Sequence, residues 1–162
     1  MGISAAPGSS PIVSASKASS TSRTSTTTLA VDPDLQLTLK ASTMYDLRAF
    51  LVLQDNGGPD LEIQLRAPSL SGVTDQDGGL RQYLSDLAAN TYYVLRPQTS
   101  GTSGTMDFDT SNTVIGINLH GSIAIGSSGG TVSFWWGQAS SSGTASQILE
   151  GSYLMATEAG AW

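Results

Sequence analysis

Apolar side chains recur at every second position in run after run of this chain. Leu35, Leu37 and Leu39 alternate with Gln36, Thr38 and Lys40. Tyr45, Leu47, Ala49, Leu51 and Leu53 alternate with Asp46, Arg48, Phe50, Val52 and Gln54. Leu61, Ile63 and Leu65 alternate with Glu62, Gln64 and Arg66, and Val114–Ile125 places Ile117, Leu119 and Ile123 opposite Asn118, His120 and Ser122. A period of two belongs to a strand with one covered face. In Gly130–Gln138 the pattern sharpens: Val132, Phe134 and Trp136 share one face, Thr131, Ser133 and Trp135 the other. A short strand, a turn at Gly151 and an extended run from Ser152 to Thr157 follow.

Turn chemistry separates the runs, at Asp32-Pro33-Asp34, at Asp55-Asn56-Gly57-Gly58-Pro59-Asp60 and at Gly126–Gly130. Residues 24–31 are Thr-rich and β-prone, 92–95 read as a strand, and 80–90 read as a short helical turn. Residues 69–80 and 98–111 read as loops. Roughly eight strands with hairpins and two long connections predict an all-β fold. The expected form is an antiparallel two-sheet, jelly-roll-like sandwich with an extended N-terminal arm.

The arm is predicted from composition. Ser and Thr occupy 14 of the first 28 positions, too polar a segment to offset the entropy of ordering it alone. Residues 1–22 are therefore expected to be an arm and residues 23–162 the sandwich domain. Ile3, Ile12, Val13 and Arg23 are its expected anchors on a partner. Only 12% of residues are charged, the net charge is −6, and the 7 Lys and Arg are scattered. Without a basic patch, nucleic acid is not an expected partner. No apolar run is long enough for a membrane-spanning helix, so no membrane partner is expected. MGISAAPGSS lacks the charge and apolar run of a secretory signal. The absence of cysteine excludes disulfides, thiolate catalysis and cysteine-based zinc sites.

Few residues offer chemistry. His120 is the only histidine; it lies mid-strand with Asn118 and Ser122, and reads as a polar face or interface residue rather than a triad member. Gly126-Ser127-Ser128-Gly129-Gly130 matches G-x-S-x-G, but a nucleophile elbow needs a helix after it and a strand follows here. The acidic pairs Asp32/Asp34, Asp75/Asp77 and Asp107/Asp109 read as turn residues; Asp75-Gln76-Asp77-Gly78 lacks the later ligands of a calcium loop. No enzyme activity and no cofactor are expected. Trp135 and Trp136 must face opposite ways, so one is expected in the core and the other, with His120, near a subunit boundary. Trp162 could dock on a partner or lie exposed.

The layout of residues 20–158 resembles tailed-phage structural proteins. Its marks are the Thr-rich first strand, the Asp32-Pro33-Asp34-Leu35 step, the Ala41-x-Thr43-x-Tyr45 turn and a long apolar strand. They continue with Gly130-Thr-Val-Ser-Phe-Trp-Trp-Gly-Gln138, a Ser/Thr/Ala-rich loop and Gly151-Ser-Tyr-Leu154. The resemblance implies a β-sandwich virion protein of the capsid decoration, or cement, type. Such a protein sits on the outer capsid surface as a homotrimer, bound to the major capsid protein, with its arm across neighbouring subunits. The alternative it implies is a tail or fibre component binding host glycans through residues 69–80 and 98–111.

Overall fold

The computed structural model of the chain describes residues 11–67, 80–83, 92–95, 106–108, 110 and 114–161. These residues form twelve strands and no helix: β1 (Ile12–Ser16), β2 (Thr21–Arg23), β3 (Ala30–Leu39), β4 (Thr43–Gln54), β5 (Leu61–Arg66), β6 (Leu80–Tyr83), β7 (Tyr92–Leu95), β8 (Met106–Phe108), β9 (Ile115–Ile125), β10 (Gly130–Gln138), β11 (Ser146–Ile148) and β12 (Tyr153–Ala161). All pairings are antiparallel. The large sheet runs β1-β12-β4-β9-β6-β7, with β11 beside β4 and β2 beside β11; the small sheet runs β3-β10-β5-β8.

Each alternating run becomes a strand with its apolar set inside. Leu35, Leu37 and Leu39 of β3, Leu47, Leu51 and Leu53 of β4, Leu61, Ile63 and Leu65 of β5, and Val132, Phe134 and Trp136 of β10 form one buried cluster between the sheets. Leu154 and Ala156 of β12 and Ile117 and Leu119 of β9 complete it. The all-β, two-sheet antiparallel sandwich expected from the periodicity is therefore the fold.

The N-terminal segment departs from the expected boundary at residue 22. Ile12–Ser16 pairs in register with Tyr153–Thr157 of β12, and Thr21–Arg23 with Ser146–Ile148 of β11. From Pro11 onward the segment is part of the large sheet. Its few apolar groups do not hold it alone; backbone bonds to an existing edge and one buried lysine do. Residues 24–29, read as strand, carry none; Thr26 instead bonds Gln138 through backbone and side chain.

Asp32-Pro33-Asp34 turns within β3 rather than between strands. The register jumps from Val31↔Trp135 to Gln36↔Ser133, so four residues of β3 stand against Phe134 alone. Asp32 Oδ1 accepts the N–H of Asp34 (3.0 Å) and of Leu35 (3.2 Å), folding an Asx turn into the bulge. Proline is tolerated because β3 is an edge strand and needs no donor on its free side. Leu80–Tyr83 is a strand, not a helical turn, because it pairs with β7 and β9; Met106–Phe108 forms β8 within the expected loop.

Candidate functional site

Two arrangements stand out on this scaffold: the outer face of the large sheet and a buried clamp at the edge where the sheets meet.

The outer face follows from alternation. With the odd-numbered residues of β4 inside, Asp46, Arg48, Phe50 and Val52 face outward. Directly opposed residues share a face, so three rows form across the sheet: Tyr153, Phe50 and Asn118; Met155, Arg48 and His120; Thr157, Asp46 and Ser122. The Phe50 and Tyr153 rings sit 6.1 Å apart, and the tip of Phe50 lies where a Cβ on Gly116 would come within 2.8 Å. A side chain at position 116 would push the ring away, so glycine lets it lie flat. Tyr153 is 39% exposed, and Ile12 and Val13 of β1 are 63% and 36% exposed at the sheet's rim.

Beside the aromatics, Asp46 holds two partners. Its Oδ1 lies 2.8 Å from His120 Nε2, and its Oδ2 accepts from Arg48 Nε at 3.1 Å and Nη2 at 3.0 Å. Among the described residues His120 meets this carboxylate and no hydroxyl nucleophile. It stands on the exposed face, where the sequence pattern placed it. At the rim, Lys40 Nζ bonds Glu158 Oε2 at 2.8 Å, and this bond with the carboxylate's charge raises the lysine pKa.

The clamp begins at Lys17, which follows β1 and is fully buried. Its N–H donates to Ser152 O and its carbonyl accepts from Gly151 N–H, prolonging the β1–β12 ladder. Its ammonium reaches across to the small sheet, to Asp32 Oδ1 at 3.0 Å, Asp32 Oδ2 at 3.1 Å and Asp34 Oδ2 at 2.9 Å, and donates to Thr21 Oγ1 of β2 at 2.7 Å. Trp136 Nε1 donates to Asp32 Oδ2 at 3.1 Å. Arg23 lies 4.2 Å above the Trp136 ring and donates to the carbonyls of Ala30, Val31 and Trp136. Burial lowers the Arg23 pKa, opposed by the charge of Asp32. Buried charges survive when paired and hydrogen-bonded, and here the buried Lys17 ammonium meets the carboxylates of Asp32 and Asp34.

The expected site residues are thus divided. Ile12 and Val13 are exposed on β1, while Ile3 lies outside the described residues. Arg23, expected to anchor a partner, is half-buried and engaged with the Trp136 ring and three carbonyls of its own chain. Trp136 is fully buried in the core and cannot form a boundary, because its ring packs between the sheets and its N–H is taken by Asp32. Trp135 is the outward member, half-buried on the small sheet, with Arg66 3.8 Å from its ring centre and Nε1 bonded to Ser133. Trp162, residues 69–79, residues 98–105 and Asp75/Asp77 lie outside the described residues. Sequence reading missed Lys17 altogether. The available signal was a lone lysine in a Ser-rich stretch, with an Asp-x-Asp downstream.

Among the described residues no group of three or more His, Asp or Glu is placed to hold a metal, and no helix is long and apolar enough to cross a membrane. No family model, curated protein or solved structure matches the chain.

Proposed function

We propose that the chain is a structural protein of a tailed-phage virion, decorating the outer capsid surface as a homotrimer bound to the major capsid protein. The jelly-roll affiliation belongs to the same reading. The sequence resemblance over residues 20–158 supports it. The observation that carries it is the outer face of the large sheet. On that face the half-exposed Phe50–Tyr153 pair and Met155 adjoin an internally paired Asp46–Arg48–His120 group. Aromatic anchors beside satisfied charges suit docking between proteins better than enclosure of a small substrate. The few charges on the chain fit a surface meant to be covered, and contacts repeated by symmetry give avidity.

Cryo-EM of particles carrying the protein tests this. Density for the sandwich is expected at the quasi-threefold capsid axes, with Phe50 and Tyr153 at a contact; capsids without it refute the reading. Binding of the purified protein to host cells without capsids would favour the tail or fibre alternative.

A further inference from the structure

We propose that residues 11–23 form an exchangeable plug, and that its alternative acceptor is the same groove, between β11, β12 and β3, on a second copy of this chain. Exchange requires no capsid, so it stands or falls apart from the virion role.

The plug's bonds run to distant parts of the chain. β1 pairs with β12, β2 with β11, Lys17 with Asp32 and Asp34, and Arg23 stacks on Trp136. A second copy offers an identical set, so exchange conserves every one of them. The plug also buries little of its own. Ile12 and Val13 are exposed and only Ala15 of β1 packs partly against the core, so the strand is held mainly by its ladder.

The connection to the rest of the chain is suited to opening. Residues 24–29 carry no strand, and six residues extend to roughly 20 Å. Ser25, two residues beyond β2, sits at φ 53°, a left-handed conformation unfavourable to a residue with a Cβ. Straightening the chain at Ser25 relieves that strain; extending the whole link forfeits the Ser25 N–H bond to Ser142 O and the pairing of Thr26 with Gln138. Strained hinges of this kind favour exchange between copies.

The groove selects its occupant by charge. It ends in Asp32, fully buried, and Asp34, so a strand docked on β12 must bring an ammonium at the position of Lys17. An unrelated edge strand leaves a buried carboxylate without its cation; a second copy supplies the cation in register.

The chain has no cysteine, which allows a direct test. Pro11 O accepts from Glu158 N–H and Ser152 O accepts from Lys17 N–H, so hydrogen-bonded pairs fall at 11, 13, 15 and 17. Ser14↔Met155 is then a non-hydrogen-bonded pair, the closer kind, suited to a disulfide. Ser14→Cys and Met155→Cys proteins are refolded together at high concentration and oxidised. The expected product is a disulfide-linked dimer containing one chain of each, absent from either protein alone. The Ser14→Cys/Met155→Cys double variant serves as control, since its closure within one chain shows that the pair can bond. If the control closes while the mixture yields no mixed dimer, exchange is refuted. Ile12→Cys with Thr157→Cys, the next such pair, repeats the test should the first pair misfold. Adding Lys17→Met to the Ser14→Cys protein is expected to cut the mixed dimer severalfold; an unchanged yield overturns selection by the ammonium.

Discussion

Replacing Lys17 with Met keeps the length of the side chain and removes its charge. Asp32 then stays fully buried with three donors left, the Trp136 indole N–H and the backbone N–H groups of Asp34 and Leu35. Removing one partner of a buried ion pair costs about 3–5 kcal/mol, because the remaining charge is uncompensated. The three surviving donors, and an Asp34 side chain 37% exposed to water, place this site at the lower end, about 3 kcal/mol. With a urea dependence of about 2 kcal/mol per molar for a chain of this size, the unfolding midpoint falls by about 1.5 M. Urea titration followed by tryptophan fluorescence measures it, since Trp136 contacts the same carboxylate. Asp32→Asn in the Lys17→Met background removes the stranded charge, so the two changes together should cost at least about 1 kcal/mol less than their sum. Strict additivity, or a midpoint shift of the single variant below about 0.3 M, would refute a clamp in which ammonium and carboxylate depend on each other.

The tryptophans should separate in the same assay. Trp136→Ala is expected to destabilise by about 3–5 kcal/mol, from its core volume and its bond to Asp32, while Trp135→Ala, half-buried beneath Arg66, should lose about 1 kcal/mol; equal losses would contradict the facing of β10. Gly129→Ala forces a Cβ to 2.9 Å from the Ala41 backbone nitrogen at φ 62°, so a loss of about 2 kcal/mol is expected by thermal or urea unfolding. Lys40, raised by Glu158, should titrate at higher pH than in a Glu158→Gln variant, followed by NMR of the side chain. A raised folded-state value means that the lysine's contribution is complete at neutral pH and fades in alkali, as pH climbs through the lysine. Because both groups are at the surface, Lys40→Ala should leave the urea midpoint nearly unchanged.

Much of the fold was legible because strand periodicity is a local property. Once Leu47, Leu51 and Leu53 alternate with Asp46, Arg48 and Gln54, the pleat assigns each side chain to a face whatever the neighbours are. The pattern therefore located β3, β4, β5, β9, β10 and β12 and put Asp46 with Arg48 on one face of β4 and His120 on the polar face of β9; that these faces join is a matter of the β4–β9 pairing. It also required Trp135 and Trp136 to face opposite ways. It did not reveal which of them would be inside, since that depends on which face of the small sheet meets the large one.

Tertiary structure alone decided the rest. A Ser-rich segment has no periodic apolar signal, so its strands exist only because β11 and β12 present unpaired edges to it. The Asp32-Pro33-Asp34 step reads as a turn in any local window; pairing with β10 draws it into β3 as a bulge. Lys17 and Asp32, fifteen residues apart, meet because β1 and β3 are the edge strands of opposing sheets. By itself the sequence determined the faces of the strands, an outcome of backbone geometry. Only the packed sandwich determined its partners across the edge, because a buried charge can be paired only by what the fold brings to it.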